Sequence, residues 1–273
     1  LSMVHNFLSK NVNNNDSFDK EIMNDSKKVE NESSNSTPVK NGQNSNISDV
    51  SSEDQKEYLI VTGEWKPFTS NKLKSNGFLT EIVVSTLERM NISYTIKFHS
   101  WEECIALIGN GTAIASFPFI NSSEFDEKYY FSEPLHIIKN KPFYYKINGS
   151  LNHSSINLSE YKFGIVHPYQ KRIMERQGFD YISYDNMTIA LSKLKKGEVK
   201  FLPLRVETSE YSIEKIYPKE KKHFKNLDVT LDTTKLRLMT YSNENFINKF
   251  NLALNKTIKE GDYNKIKERH NIS

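Results

Sequence analysis

From Glu57 to the C-terminus, short apolar runs alternate with amphipathic stretches, and that alternation admits few architectures. "YLIVTG" (58–63) is a buried-strand pattern closed by glycine. "LTEIVVSTLERM" (79–90) sets Leu79, Ile82, Val83, Leu87 and Met90 on one helical stripe. "SYTIKFH" (93–99) alternates as a strand, "WEECIALIGNG" (101–111) reads as a helix stopped by glycine, and "AIASFPF" (113–119) is strand-like. "KFGIVHPY" (162–169) predicts a strand ending in a turn, "MTIALSKLKKG" (187–197) a helix with a glycine stop, and "VKFLPL" (199–204) a strand. "FINKFNLALNKTIKEG" (246–261) predicts an amphipathic helix with Phe246, Phe250, Ala253, Leu254 and Ile258 on one face. Strands and helices in alternation predict an α/β fold with mostly parallel pairing.

Residues 1–55 differ in kind. They hold eleven Asn and eleven Ser with few large apolar side chains. Such a segment cannot bury enough surface to offset its ordering entropy, so it is expected to be disordered or to act as a tether. The lone cysteine, Cys104, allows no internal disulfide, and no apolar run is long enough to span a bilayer. A formal net charge of +3 is too balanced to argue for nucleic acid.

Catalytic signatures are missing from the sequence. The seven histidines are scattered, without metal-ligand spacing. There is no glycine-rich phosphate loop and no nucleophile elbow. Cys104 falls on the apolar side of its helix and reads as core, and Glu64 beside Trp65 is not expected to act as a catalytic acid. The expectation is a protein that is not an enzyme and uses neither cofactor nor metal.

Six segments in order resemble landmarks of the bacterial extracellular solute-binding proteins of family 3, which include amino-acid binders. They are "GEWKPFTS" (63–70), "GFLTEIV" (77–83), "FHSWEECIALIGNGTAIASFPF" (98–119), "YYFSEPL" (129–135), "FGIVHPY" (163–169) and "FNLALNKTIKEGDYNKIKERH" (250–270). Each is weak alone; their order and spacing over 57–272 carry the resemblance. It implies a two-lobed, periplasmic-binding-protein-like (type II) α/β fold with two crossover strands. Lobe 1 would comprise 57–142 plus 239–273 and lobe 2 residues 143–238, with crossovers at "KPFYYKI" (141–147) and "KLRLMTYS" (235–242). Ligand would lie between the lobes, at strand ends and helix N-termini.

The resemblance also locates a departure. Amino-acid binders place an Arg four residues before the Tyr129 position, where it grips the ligand carboxylate; this chain has Phe125. Where they place an Asp for the ligand ammonium, it has Arg205, and the Asp usual at the start of that strand is Lys200. An ammonium facing Arg205 would meet a like charge in a poorly screened cleft, and losing such a desolvated pair costs about 2–5 kcal/mol. Standard α-amino acids are therefore not expected as the solute. The implied pocket residues are Trp65, Phe117, Pro118, Phe125, Tyr169, Gln170 and Arg205. Five of them have a plainer reading: Trp65, Phe117 and Phe125 as core, Tyr169 as a turn residue, Arg205 as a surface cation or partner of Glu207.

The function implied is capture of an aromatic, apolar or anionic small molecule for an ABC transporter. The protein would be a monomer in the periplasm or otherwise outside the cytoplasm, tethered to the membrane through its N-terminal segment, and would meet a permease or receptor. A sensory module with a degenerate cleft is the alternative, and a surface adhesin a third class.

Overall fold

The burial pattern of the strands explains how they are stacked. In the computed structural model, which describes residues 57–123, 125, 127–146 and 156–272, all five residues of β3 (Ala115–Phe119) are buried. That is the pattern of a strand covered on both faces. It lies beside β1 (Tyr58–Thr62), whose other edge carries β2 (Tyr94–Phe98), and both pairings are parallel. The segment proposed above as a tether lies outside the described residues.

Helix α1 (Phe78–Arg89) buries Phe78, Leu79, Ile82, Val83 and Leu87. Helix α2 (Trp101–Gly109) starts at a reciprocal cap: Ser100 Oγ accepts from the Glu103 N–H, and the Glu103 carboxylate accepts from the Ser100 N–H. Its Cys104 is buried, and burial pushes the thiol pKa up to about 12, so it stays protonated.

After β4 (Tyr129–Phe131) come two ten-residue strands, β5 (His136–Tyr145) and β10 (Asp232–Tyr241). These are the crossovers, and they pair antiparallel through His136–Asn140 and Asp232–Leu236. Strands β8 (Leu202–Arg205) and β9 (Phe224–Asn226) also join β5 antiparallel, while β6 (Phe163–Ile165) and β7 (Tyr181–Ser183) make a separate parallel pair. The expectation of mostly parallel pairing therefore fails. One crossover leaves the first core and the other returns to it, so the two run in opposite directions and pair antiparallel.

Between these strands lie α3 (Pro168–Gln177), α4 (Met187–Lys195), α5 (Val206–Ile216), α6 (Glu244–Lys259) and α7 (Asp262–Arg269). Helices α1 and α6 pack together, with the Thr86 and Thr257 hydroxyls 3.5 Å apart between them. Ile258, expected on the buried face of α6, is 42% exposed, because it lies at the margin of a buried stripe that runs through Phe246, Phe250, Ala253 and Thr257. The Asn243 side chain caps α6 by accepting from the Phe246 N–H at 3.0 Å. Asn243→Ala is expected to cost about 1 kcal/mol, read as a lower urea midpoint at unchanged slope.

The cores divide by chain position. One cluster draws on residues 60–138 and 236–266, so the two ends of the described chain build it together. Two smaller clusters draw only on residues 143–231.

Candidate functional site

The loop after β1 presents Trp65. Its N–H donates to Thr69 O at 2.7 Å, its carbonyl accepts from the Thr69 N–H at 2.9 Å, and the Thr69 hydroxyl donates to Gly63 O at 2.7 Å. The edge-on ring of Phe68, 5.4 Å from that of Trp65, completes the support. Gly77 lets the chain turn beneath this loop, with φ +98 and the Phe68 carbonyl so near that a Cβ would sit 2.6 Å from it.

The opposing wall starts at α3. Pro168 occupies the first helical turn, where a missing N–H costs nothing, and Gly178 ends the helix in the left-handed conformation at φ 72. The Gln170 side chain accepts from the Val166 and His167 N–H groups at 2.7 and 2.8 Å and donates to Pro203 O at 2.9 Å. This ties the start of α3 to β8 and aims Tyr169 and Arg205 at the same space.

There the two walls meet. The Arg205 guanidinium lies 4.3 Å from the Tyr169 ring centroid and 5.9 Å from that of Trp65. The His167 ring is stacked on that of Tyr169 at 5.7 Å with planes 12° apart. The guanidinium is thus shared by an indole and a phenol, and Arg205 is only 8% exposed. A guanidinium is suited to this because its planar cation lies against aromatic faces while its edge keeps N–H donors for an anion.

Burial, with the Arg205 charge adding to it, pulls the His167 pKa down from 6.5 to about 4. The folded imidazole is neutral where the unfolded one would be charged, so its stabilising contribution is full above about pH 6.5 and drains away down to about pH 4. Urea unfolding across that window should show falling stability, with a shallower fall in His167→Gln.

Three of the seven residues singled out from sequence are brought together: Trp65, Tyr169 and Arg205. Phe117 and Pro118 are buried in β3, with the Phe117 carbonyl accepting from the Thr62 hydroxyl at 2.6 Å. Phe125 packs among Phe119, Tyr129 and Phe131 at 4.9–6.1 Å between ring centroids. The Gln170 amide is engaged in holding the loop, and Gln170 is fully buried. Arg205 is not partnered by Glu207 in the way its plainer reading supposed; the Glu207 carboxylate instead meets His136 Nε2 at 2.8 Å.

Beside the stack a cavity of about 430 Å³ remains open. One wall is a helical face, Tyr169, Arg172, Ile173 and Arg176; the other is β10 from Asp232 to Lys235 and Arg237, with Ile120 and Asn121 at the rim. The arginines of α3 were overlooked in the sequence, although the spacing 169, 172, 173, 176 is that of one helix face. A larger opening, about 530 Å³, lies between α5 and residues 270–272. Its lining mixes Glu207, Glu210 and Glu214 with Lys221, Lys222 and Lys225, which selects no ligand charge. Among the described residues, no group of three or more His, Cys, Asp or Glu could hold a metal ion.

Two long strands, β5 and β10, run between the separate hydrophobic clusters, and aromatic and charged side chains meet beside them. Residues 59–272 match the family model described as bacterial extracellular solute-binding proteins, family 3. The chain belongs to that family. Among solved structures, the second substrate binding domain of a putative amino acid ABC transporter from Streptococcus pneumoniae aligns with TM-score 0.64 at 15% identity, covering 78% of this chain and 99% of that one. The second substrate binding domain of GlnP from Lactococcus lactis, in an open conformation, aligns with TM-score 0.64 at 14% identity over 80% and 97%. The VFT2 domain of BvgS from Bordetella pertussis aligns with TM-score 0.57 at 16% identity over 78% and 92%. At such identities these likenesses establish the two-lobed family 3 fold. No curated protein sequence matches the chain. The family and the solved structures it resembles are binding proteins. No helix among the described residues is long and apolar enough to cross a membrane.

Proposed function

We propose that this protein captures a small molecule outside the cytoplasm, in the cleft between its lobes, and presents it to an ABC transporter. The observation that carries this reading is the Trp65–Arg205–Tyr169 stack, which sets one buried cation and two aromatic faces from different lobes around a shared space. Closing lobes on such a space excludes water and strengthens each polar contact. The solute would be aromatic or anionic and not a standard α-amino acid, because Phe125 is packed among lobe 1 aromatics and Arg205 stands where an ammonium would otherwise be received. The lobes would divide near residues 142 and 238, along the crossovers.

Isothermal titration of the full chain against the twenty standard amino acids is expected to show no tight binding; tight binding of any one overturns the solute assignment. Native mass spectrometry of freshly purified protein should reveal a retained small molecule that Arg205→Ala releases.

A second reading is a sensory module whose cleft is held shut by its own side chains. It is favoured by the same stack, since Arg205 already fills the gap between Trp65 and Tyr169. Protein that retains no solute and keeps one scattering profile whatever is added would support it.

A further inference from the structure

We propose that the Asn140 carboxamide reads the solute, and that the solute is a planar aromatic molecule with a hydrogen-bond donor beside an acceptor on one edge. A nucleobase or an aromatic carboxamide has such an edge. This rests on the capture reading and deepens it, by naming the class of solute and a recognition residue on β5 that the sequence did not single out.

The observation is an orphaned amide. Asn140 lies midway along β5 and is 0% exposed. Neither the nitrogen nor the oxygen of its side chain makes a hydrogen bond among the described residues. Its main-chain carbonyl is satisfied, accepting from the Leu231 N–H at 2.8 Å. A carboxamide offers two donors and an acceptor with two lone pairs, and the large majority of buried side-chain polar groups find a partner. The chain follows that rule where a carboxamide is structural: Gln170, also 0% exposed, makes three hydrogen bonds.

Strand register places the orphan at the cleft. Directly opposite Asn140 stand Arg205 on β8 and Asp232 on β10. Opposed residues of an antiparallel pair project from one face with Cβ atoms about 5 Å apart. Arg205 and Asp232 both line the open cavity, and Arg205 reaches Trp65. Four residues back along β5, on the same face, the His136 ring lies 5.9 Å from that of Phe68, which braces Trp65. The Asn140 amide therefore belongs to the floor under the Trp65 loop, between two residues of the cavity wall. It is enclosed in this conformation, so a solute reaches it as the lobes part, and reclosure shields the contact from water.

The orphan selects among solutes. A carboxylate accepts from the Asn140 nitrogen and leaves the oxygen unpaired. An apolar ring satisfies neither atom. An edge that sets N–H beside C=O or a ring nitrogen satisfies both, and Trp65 and Tyr169 offer aromatic walls to a flat ring. Each group left unpaired in a desolvated site weakens binding by about ten- to a hundredfold, which is enough to decide between these classes.

Titration calorimetry on the full chain tests this with uracil, adenine and nicotinamide as probes. Benzoate, an anionic aromatic without a donor, and 1,3-dimethyluracil, whose N–H groups are blocked, are the controls. At least one probe should bind one-to-one and at least tenfold tighter than either control. Asn140→Leu, of similar volume, and Asn140→Ala should each weaken that binding by about tenfold or more while the urea midpoint of ligand-free protein holds or rises, since the group removed had no partner. The binding comparison is read in whichever variant keeps its midpoint. A lowered midpoint in both variants would make the amide a structural group satisfied by buried water, and would overturn the proposal. Failure of all three probes to exceed the controls overturns it, as does binding that the substitution leaves unchanged. A retained solute that Arg205→Ala releases but Asn140→Leu and Asn140→Ala keep would overturn it too, with solute capture left standing. Protein that retains nothing and binds no probe would overturn both.

Discussion

His136→Ala is expected to lower the unfolding free energy by about 3–5 kcal/mol. His136 is 5% exposed at the start of β5. One ring nitrogen meets the Glu207 carboxylate at 2.8 Å and the other meets the Tyr263 hydroxyl at 2.8 Å. Glu207 is itself 6% exposed, and its second oxygen is buried without a hydrogen-bond partner. Removing the imidazole would leave a carboxylate buried with nothing to offset its desolvation, and would strip the Phe78 ring of its edge-on neighbour at 5.2 Å. Urea unfolding monitored by far-UV circular dichroism measures the loss. The double variant His136→Ala/Glu207→Gln should recover part of it, because the orphaned group is then neutral. A loss below about 1 kcal/mol for the single variant would mean that the buried contact adds little to stability.

Gly77→Ala is expected to cost about 3 kcal/mol and to weaken solute binding as well. At φ 98 and ψ 166 its backbone lies in a region open almost only to glycine, which costs a substituted residue about 1–3 kcal/mol. The new methyl would also stand 2.6 Å from the Phe68 carbonyl oxygen and 3.0 Å from the Thr69 nitrogen. These are backbone atoms of the loop that braces Trp65, so relief requires moving the loop. The thermal midpoint should fall, and the affinity for whatever ligand is retained should fall with it. A variant with lowered stability and unchanged affinity would separate Trp65 from the binding site.

Much of the fold is legible from local chemistry. The 3.6-residue stripes at 79–90, 101–111, 187–197 and 246–261 each became a helix within two residues of the reading. Apolar runs at 58–63 and 113–119 became β1 and β3. The extent of helix α3 was not read from sequence because it is short and strongly polar, "PYQKRIMERQ", so its apolar periodicity is faint beside the strand before it. Its punctuation was nonetheless present, as Pro168 inside the start and Gly178 just past the end. Ile258 was misplaced because a stripe predicts which residues could share a face, not how wide a face the neighbours cover, and Ile258 sits at its margin.

Sequence alone was enough to set most of the secondary elements, which rest on residue identity at short spacing, and the two-lobed family 3 fold, which rests on the order of six landmarks over 57–272. Tertiary structure decided which candidates share a site. Trp65, Tyr169 and Arg205 come from three segments separated by more chain than any local pattern spans, and only the packing of α3 and β8 against the β1 loop brings them into one stack. The same holds for His136, Glu207 and Tyr263, whose contacts join a crossover strand to two helices. Long-range juxtaposition depends on how whole faces are buried against each other, and that free energy is spread over the entire core rather than carried by any single stretch of sequence.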